Sequence, residues 1–132
     1  MKERALQLLE FPCRNSPALV CLRLQLQRAL ELLTACAHCG GRIMTCGNGG
    51  SAADAEHIVG ELLKGFLRRR SLPEADAARL RDMFGKDGLY MAHHLQQGVR
   101  ALSLAGGLAF PTAFANDVEA NLVFAQQVWT LA

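Results

Sequence analysis

Aromatic side chains are scarce in this chain of 132 residues: phenylalanine, tyrosine and tryptophan together make up 6%, with one tryptophan and one tyrosine. Hydrophobic residues still reach 51%. The core must therefore be built from aliphatic and alanine side chains, and the composition excludes a disordered chain. An excess of one charge is missing as well. The net charge is +2, which makes no electrostatic case for nucleic acid or an acidic membrane as partner. The one basic cluster, Lys64 with Arg68, Arg69 and Arg70, reads as a solvated helix end, where cations meet the negative pole of the helix. There is no long apolar run. The opening MKERALQLLE is amphipathic, neither a signal peptide nor a membrane span, so the expected location is the cytoplasm. A second cysteine pair is also absent. Cys36 and Cys39 form C-A-H-C, yet Cys13, Cys21 and Cys46 pair with nothing at metal-ligand spacing, and five is an odd number. Reduced thiols are the simpler reading.

What is present is an alternation of helix and strand signals. A short helix over residues 1–10 is interrupted by Phe11-Pro12 and Ser16-Pro17. From Ala18 to Cys39, Leu19, Leu22, Leu26, Leu30 and Leu33 recur at helical spacing until Gly40-Gly41 stops them. Arg42 to Cys46 is a short apolar run that fits a buried strand. After Gly47-Asn48-Gly49-Gly50, with Ser51 as N-cap, a helix is expected from Ala52 to Arg69. Another runs from Glu74 to Met83, is broken by Gly85 and Gly88, and gives way to a shorter one over Leu89 to Gln96. Val99 to Ala105 predicts a second strand, Pro111 to Ala115 a helical turn, and Ala120 to Leu131 a terminal helix. The order implies α/β with a parallel sheet flanked by helices, helix-rich and incomplete. Two strands make a poor parallel sheet. Either the molecule is a fragment, or a partner chain completes its core. One domain over 1–132 is expected, with an N-terminal helical part (1–40) and a part carrying the glycine-rich loop and the site (41–132).

The chemistry-bearing stretch is CGNGGSAADAEHIVGEL, Cys46 to Leu62. Glycines between a strand and a helix let backbone N–H groups approach an anion at the positive helix end. The same glycines also suit a tight connection with no ligand. The turn has neither a P-loop lysine nor G-x-G-x-x-G spacing, so a nucleotide is not indicated. His57 and Glu61, four residues apart, share a helical face. That spacing holds one divalent metal, or pairs an acid with a base; equally, it is that of a surface contact worth a few tenths of a kcal/mol. The position of the pair, one turn beyond the glycine loop at the ligand end of a strand, favours the functional alternative. Asn116-Asp117 interrupts an apolar stretch and also suits a helix cap. His93 and His94 are adjacent and diverge on a helix, so they read, like His38, as ordinary helix residues.

Two ordered motifs carry a family resemblance. CGNGGSAADAEHIVGEL closely resembles the sugar isomerase (SIS) domain of bacterial phosphoheptose isomerases, and TAFAND followed by VFAQQV, residues 112–117 and 123–128, resembles a second block of that family. The likeness runs from about Leu19 to the end. It implies a three-layer α-β-α fold around a parallel sheet and a homo-oligomer, dimer or tetramer, with sites at subunit interfaces. It implies an aldose–ketose isomerisation of sedoheptulose 7-phosphate that feeds surface-glycan synthesis. The matching positions are Asn48, Gly49, Gly50, Ser51, Glu61, Asn116 and Asp117 for the phosphorylated sugar, His57 and Glu61 for zinc, and Glu61 as catalytic carboxylate. Three departures stand out. The family's serine-rich phosphate loop and second histidine belong to a C-terminal half without a counterpart here. Residues 71–97 exceed the usual link. Ala105-Gly106-Gly107-Leu108-Ala109 replaces a stretch usually rich in Thr, Asp and Ser. A different class is a non-catalytic SIS module, binding a phosphosugar or a protein such as a replication initiator. Relatives of that kind tend to lose the carboxylate at the Glu61 position. A third is a sugar-phosphate-sensing regulator, for which no attached DNA-binding segment is seen.

Overall fold

The computed structural model describes the backbone of residues 3–132 and the side chains from residue 7 onward. Met1 and Lys2, part of the first expected helix, lie outside the described residues. The chain divides into two compact units, one ending at Gly41 and the other beginning at Arg42.

The first unit is helical. Helix α1 spans Glu3–Asn15 and runs through Pro12, where the sequence predicted a break. Proline forfeits a single donor there, close to the helix end, and the Ser16 N–H still donates to the Pro12 carbonyl at 2.9 Å. Pro17–Leu22 is a 3-10 turn and α2 covers Arg23–His38. The helical run expected from Ala18 is thus split, and Leu19 and Leu22 belong to its tighter first part. Arg23 of α2 pairs with Glu10 of α1, and Cys13 is buried. Cys13, Cys21, Cys36, Cys39 and Cys46 are all free thiols.

The second unit is α/β. Strands β1 (Ile43–Thr45) and β2 (Ala101–Ser103) pair in parallel, Ile43 opposite Ala101, Met44 opposite Leu102 and Thr45 opposite Ser103. Helix α3 (Gly50–Leu63) covers them, burying Ala55 and Val59. The Thr45 hydroxyl donates to the Ala55 carbonyl at 3.0 Å, fastening strand to helix. Just past β2, Leu104 is the most buried side chain at 2% exposure, and its N–H donates to the Thr45 carbonyl at 2.8 Å. All six strand residues are only half-buried. Parallel strands are normally covered on both faces, so this two-stranded sheet is an incomplete α/β layer.

Helix α3 stops at Leu63, six residues short of the expected Arg69. Arg70 explains why. Its Nη2 donates to the carbonyls of Leu62 (2.6 Å) and Lys64 (2.7 Å), and its Nε to Gln97 at 2.8 Å. One guanidinium thereby satisfies the carbonyls that a longer helix would have used internally. Gln97 N–H returns a bond to the Arg70 carbonyl at 2.8 Å, and Ser71 bridges Gln96. The excursion 71–97 therefore leaves and rejoins the fold at one clasp.

That excursion is helix α4, Glu74–His94, bent at Gly85, whose φ of 53° and ψ of −120° are non-helical. Gly85 breaks the helix as expected. Gly88 does not: it is buried, and a Cβ there would stand 1.9 Å from the Leu80 carbonyl oxygen. Close approach of the two arms is what requires it. Gly88→Ala is expected to destabilise the fold by about 1–3 kcal/mol, because the obstacle is backbone. A lower urea midpoint at unchanged slope would register this; an unaltered midpoint would refute the close approach. At the end of α4, His94 stacks on Tyr90 (4.2 Å between ring centroids) and meets His93 edge-on (4.9 Å), as helix-surface side chains.

After β2 come α5 (Ala109–Phe114), a π turn (Ala115–Glu119), a 3-10 turn (Ala120–Leu122) and α6 (Val123–Leu131). Gln127 of α6 donates to the Leu104 carbonyl at 3.0 Å, holding this arm against the end of β2. Among the described residues, no helix is long and apolar enough to cross a membrane.

Candidate functional site

The bend after β1 is the first component. Gly49, with φ 57°, caps α3, and the helix begins at Gly50. Ser51 therefore sits inside the first turn rather than at the expected N-cap. Glycine reaches a positive φ without the Cβ clash that serine would suffer, so the helix starts earlier. The backbone of the bend is held by Ser51 N–H to Asn48 O and Ala52 N–H to Gly49 O, both 3.1 Å. This end of α3, a helix of 14 residues, is the positive pole of its dipole and favours an anion.

Gly47, Asn48 and Gly49 line a cavity of about 390 Å³ together with Ala52 of α3. The opposite wall comes from the segment after β2: Leu104, Ala105, Leu108, Pro111, Thr112, Ala115, Asn121 and Phe124 among others. The size is at the low end for small-ligand sites, and the lining is mainly apolar with a few polar groups, as such sites tend to be.

His57 and Glu61 form the second component. The expected proximity of this pair is present: His57 Nε2 lies 3.9 Å from Glu61 Oε1. Lys64 Nζ also reaches Glu61 Oε1, at 2.8 Å. The imidazole is 75% exposed. The other carboxylate oxygen, Glu61 Oε2, is shut off from solvent and has no hydrogen-bond partner. Such an atom is costly unless something else satisfies it.

The two components do not share a cavity. Ala52 lines the pocket, and Ala55 and Val59 on the same side of α3 are buried. At about 100° per residue, His57 and Glu61 lie roughly 140° and 180° around the helix from Ala52. Neither lines the cavity. The resemblance puts Glu61 and the bend residues at one sugar site; within one chain they face different sides of α3. The i, i+4 spacing placed the two side chains together correctly, but which side of the helix they occupy depends on the burial of Ala55 and Val59.

Asn116 and Asp117 are in the π turn, paired with each other (Asn116 Nδ2 to Asp117 Oδ1, 2.8 Å) and exposed. They do not cap the next helical turn; Glu119 does, accepting from Asn121 N–H at 3.0 Å. Neither lines the cavity, whereas Thr112, Ala115 and Asn121 on either side do. Thr112 opens the TAFAND motif. Asn121 carried no signal, because a lone asparagine between a turn and a helix reads as punctuation.

For a metal, the donor set supports a partial fit. Histidine nitrogen and carboxylate oxygen are both zinc ligand types, and the unsatisfied Oε2 is a donor in want of a partner. Zinc takes four ligands, or three and a water. Among the described residues, no group of three or more His, Cys, Asp or Glu side chains converges on one point. His57 and Glu61 therefore fit as half of a site.

Comparison with known proteins agrees with these features. A model of the SIS domain matches residues 19–98. The phosphoheptose isomerase of Syntrophotalea carbinolica is 52% identical over 50 residues, covering 37% of this chain and 26% of that protein. The phosphoheptose isomerases of Laribacter hongkongensis and Desulfovibrio desulfuricans are 34% and 35% identical over 104 and 100 residues, covering 79% and 75% of this chain. Those alignments take in 40% and 35% of the two relatives, so the chain spans well under half the length of the curated proteins it matches. The matched residues make up more than half of the chain and take in β1, the glycine bend and the helix it opens; the chain belongs to the SIS domain family.

Proposed function

We propose that this protein is a phosphosugar aldose–ketose isomerase of the sedoheptulose 7-phosphate isomerase type, acting in the synthesis of heptose precursors of surface glycans. The observation that carries the reading is Glu61, a carboxylate with one oxygen shielded from water and unpaired beside an exposed imidazole. Isomerisation moves a proton between adjacent carbons through an enediol, and a positioned carboxylate is the group that takes and returns it. Asn48 and Gly49, at the positive end of α3, line the cavity that takes the sugar phosphate; Gly50, Ser51, Asn116 and Asp117, which do not line it within one chain, contribute once another copy completes the site. Zinc, held in part by His57 and Glu61, would polarise the carbonyl.

The glycine-bend cavity and the His57–Glu61 face lie on different sides of α3. This supports a site completed between copies of a homo-oligomer, where one copy's pair meets another's cavity. The many uncovered apolar side chains of this unit, among them Phe66, Leu108 and Trp129, agree with such an assembly.

Incubation with sedoheptulose 7-phosphate in heavy water tests the reading. The expected result is a new aldose anomeric signal by proton NMR, with deuterium at the carbon that gained the proton. Absence of both at any protein concentration excludes it. The same separation of cavity and carboxylate favours a second reading, a non-catalytic SIS module that binds a phosphosugar or a protein. Saturable phosphosugar binding without deuterium incorporation is its signature.

A further inference from the structure

One face of the cavity belongs to the glycine bend, the other to the segment between Leu104 and Phe124 that follows β2. Two polar side chains line that second face, Thr112 and Asn121. Thr112 commits its hydroxyl proton within its own helix, to the Leu108 carbonyl at 2.5 Å with the Ala109 carbonyl at 3.2 Å. Toward a ligand its oxygen is therefore an acceptor. Asn121 is placed differently. The Glu119 carboxylate takes its backbone N–H at 3.0 Å, which fixes the residue in the turn leading into α6. Its side-chain amide bonds to none of the described residues. A carboxamide has two N–H donors and an acceptor oxygen. Among the lining residues, Asn121 is thus the one side-chain donor that this face has left to offer.

Across the cavity Asn48 presents a second carboxamide, and Gly47, Gly49 and Gly107 put peptide groups rather than side chains on the lining. A sugar hydroxyl both donates and accepts. A ligand with several of them needs partners on more than one side when it leaves water. Bend and wall bound a single space of about 390 Å³, so a phosphosugar held at the bend meets the wall as well. There the Thr112 oxygen takes a proton and the Asn121 amide gives or takes one. Asn116 and Asp117 cannot fill this place within one chain: they pair with each other and do not line the cavity.

We propose that Asn121 is a sugar-binding residue, its carboxamide holding a hydroxyl of the ligand from the wall opposite the glycine bend. This rests on reading the cavity as a phosphosugar site, and it adds a residue that recognises the sugar. Titration of the 132-residue chain with sedoheptulose 7-phosphate, followed by amide NMR, tests it. The Asn121 side-chain pair of signals, assigned by its loss in Asn121→Leu, shifts with the same dissociation constant as the backbone amides of Gly47 to Gly49. Asn121→Leu keeps the side chain's branching and Asn121→Ala empties its place. Both leave the fold intact by circular dichroism, and both raise that constant about tenfold, the effect of losing one hydrogen bond. If the bend amides shift while the Asn121 pair stays, or if both variants bind as the unaltered chain does, the inference is overturned and the phosphosugar site stands. If no amide of the bend responds at any concentration, the reading of the cavity falls and the inference with it.

Discussion

Glu61→Gln is expected to abolish turnover of sedoheptulose 7-phosphate, lowering kcat by about 10²- to 10⁴-fold, the usual contribution of a positioned acid–base group. The substitution keeps the shape of the side chain and removes its capacity to carry a proton. It also deletes an ion pair with Lys64, but that pair is a contact at 2.8 Å between side chains 57% and 28% exposed. Exposed pairs of this kind contribute little to stability. The fold and the melting temperature are therefore expected to be nearly unchanged, so a loss of activity reports on chemistry. The result to look for is a vanishing rate of deuterium incorporation alongside unaltered circular dichroism. Undiminished turnover in the variant would remove Glu61 from the mechanism and leave its unpaired Oε2 as a feature of packing alone.

Much of this organisation is legible in the order of residues. Short apolar runs between glycines marked both strands, and the pair forms in parallel as the alternation of helix and strand required. The glycine-rich turn into a helix, and the helix-stopping effect of Gly85, follow from local chemistry that one sequence displays. What could not be read depends on partners distant in the chain. Helix α3 ends where Arg70 and Gln97 say it ends, and a guanidinium folding back on Leu62 and Lys64 leaves no periodic trace. Gly88 looks like a breaker because glycine usually is one; its actual cause, the Leu80 carbonyl across the bend, is set by tertiary packing. The site shows the same division. Spacing brings His57 to Glu61, since four residues make one turn. Their direction relative to the cavity is decided by which face of α3 the sheet buries, and Ala55 and Val59 are too ordinary in an alanine-rich helix to announce it.

The glycine bend allows three substitutions with different outcomes, and the comparison isolates what the loop requires. A Cβ at Gly47 would stand 2.5 Å from both the carbonyl carbon and the oxygen of Ser51. Those are backbone atoms of the first turn of α3, so relief requires unwinding that turn and the bonds from Ser51 N–H and Ala52 N–H that close it. Gly47→Ala is therefore expected to cost about 1–3 kcal/mol of stability and to eliminate phosphosugar binding, because Gly47, Asn48 and Gly49 all line the cavity. Gly49 meets nothing within 4 Å but sits at φ 57°. Gly49→Ala should then cost about 1–3 kcal/mol from backbone strain alone, since φ 57° with ψ −126° is a region that residues with a Cβ rarely enter, with binding weakened rather than eliminated. Gly50 has neither problem: its Cβ would enter open space, at no positive φ, at the first position of α3. Gly50→Ala should leave stability equal or raise it by up to about 1 kcal/mol, since alanine loses less chain entropy. Urea midpoints for the three variants, read beside titration with a sugar phosphate, give the ranking. If Gly47→Ala behaves like Gly50→Ala, the close approach of the bend to α3 is wrong, and with it the part that Gly47 plays in shaping this side of the cavity.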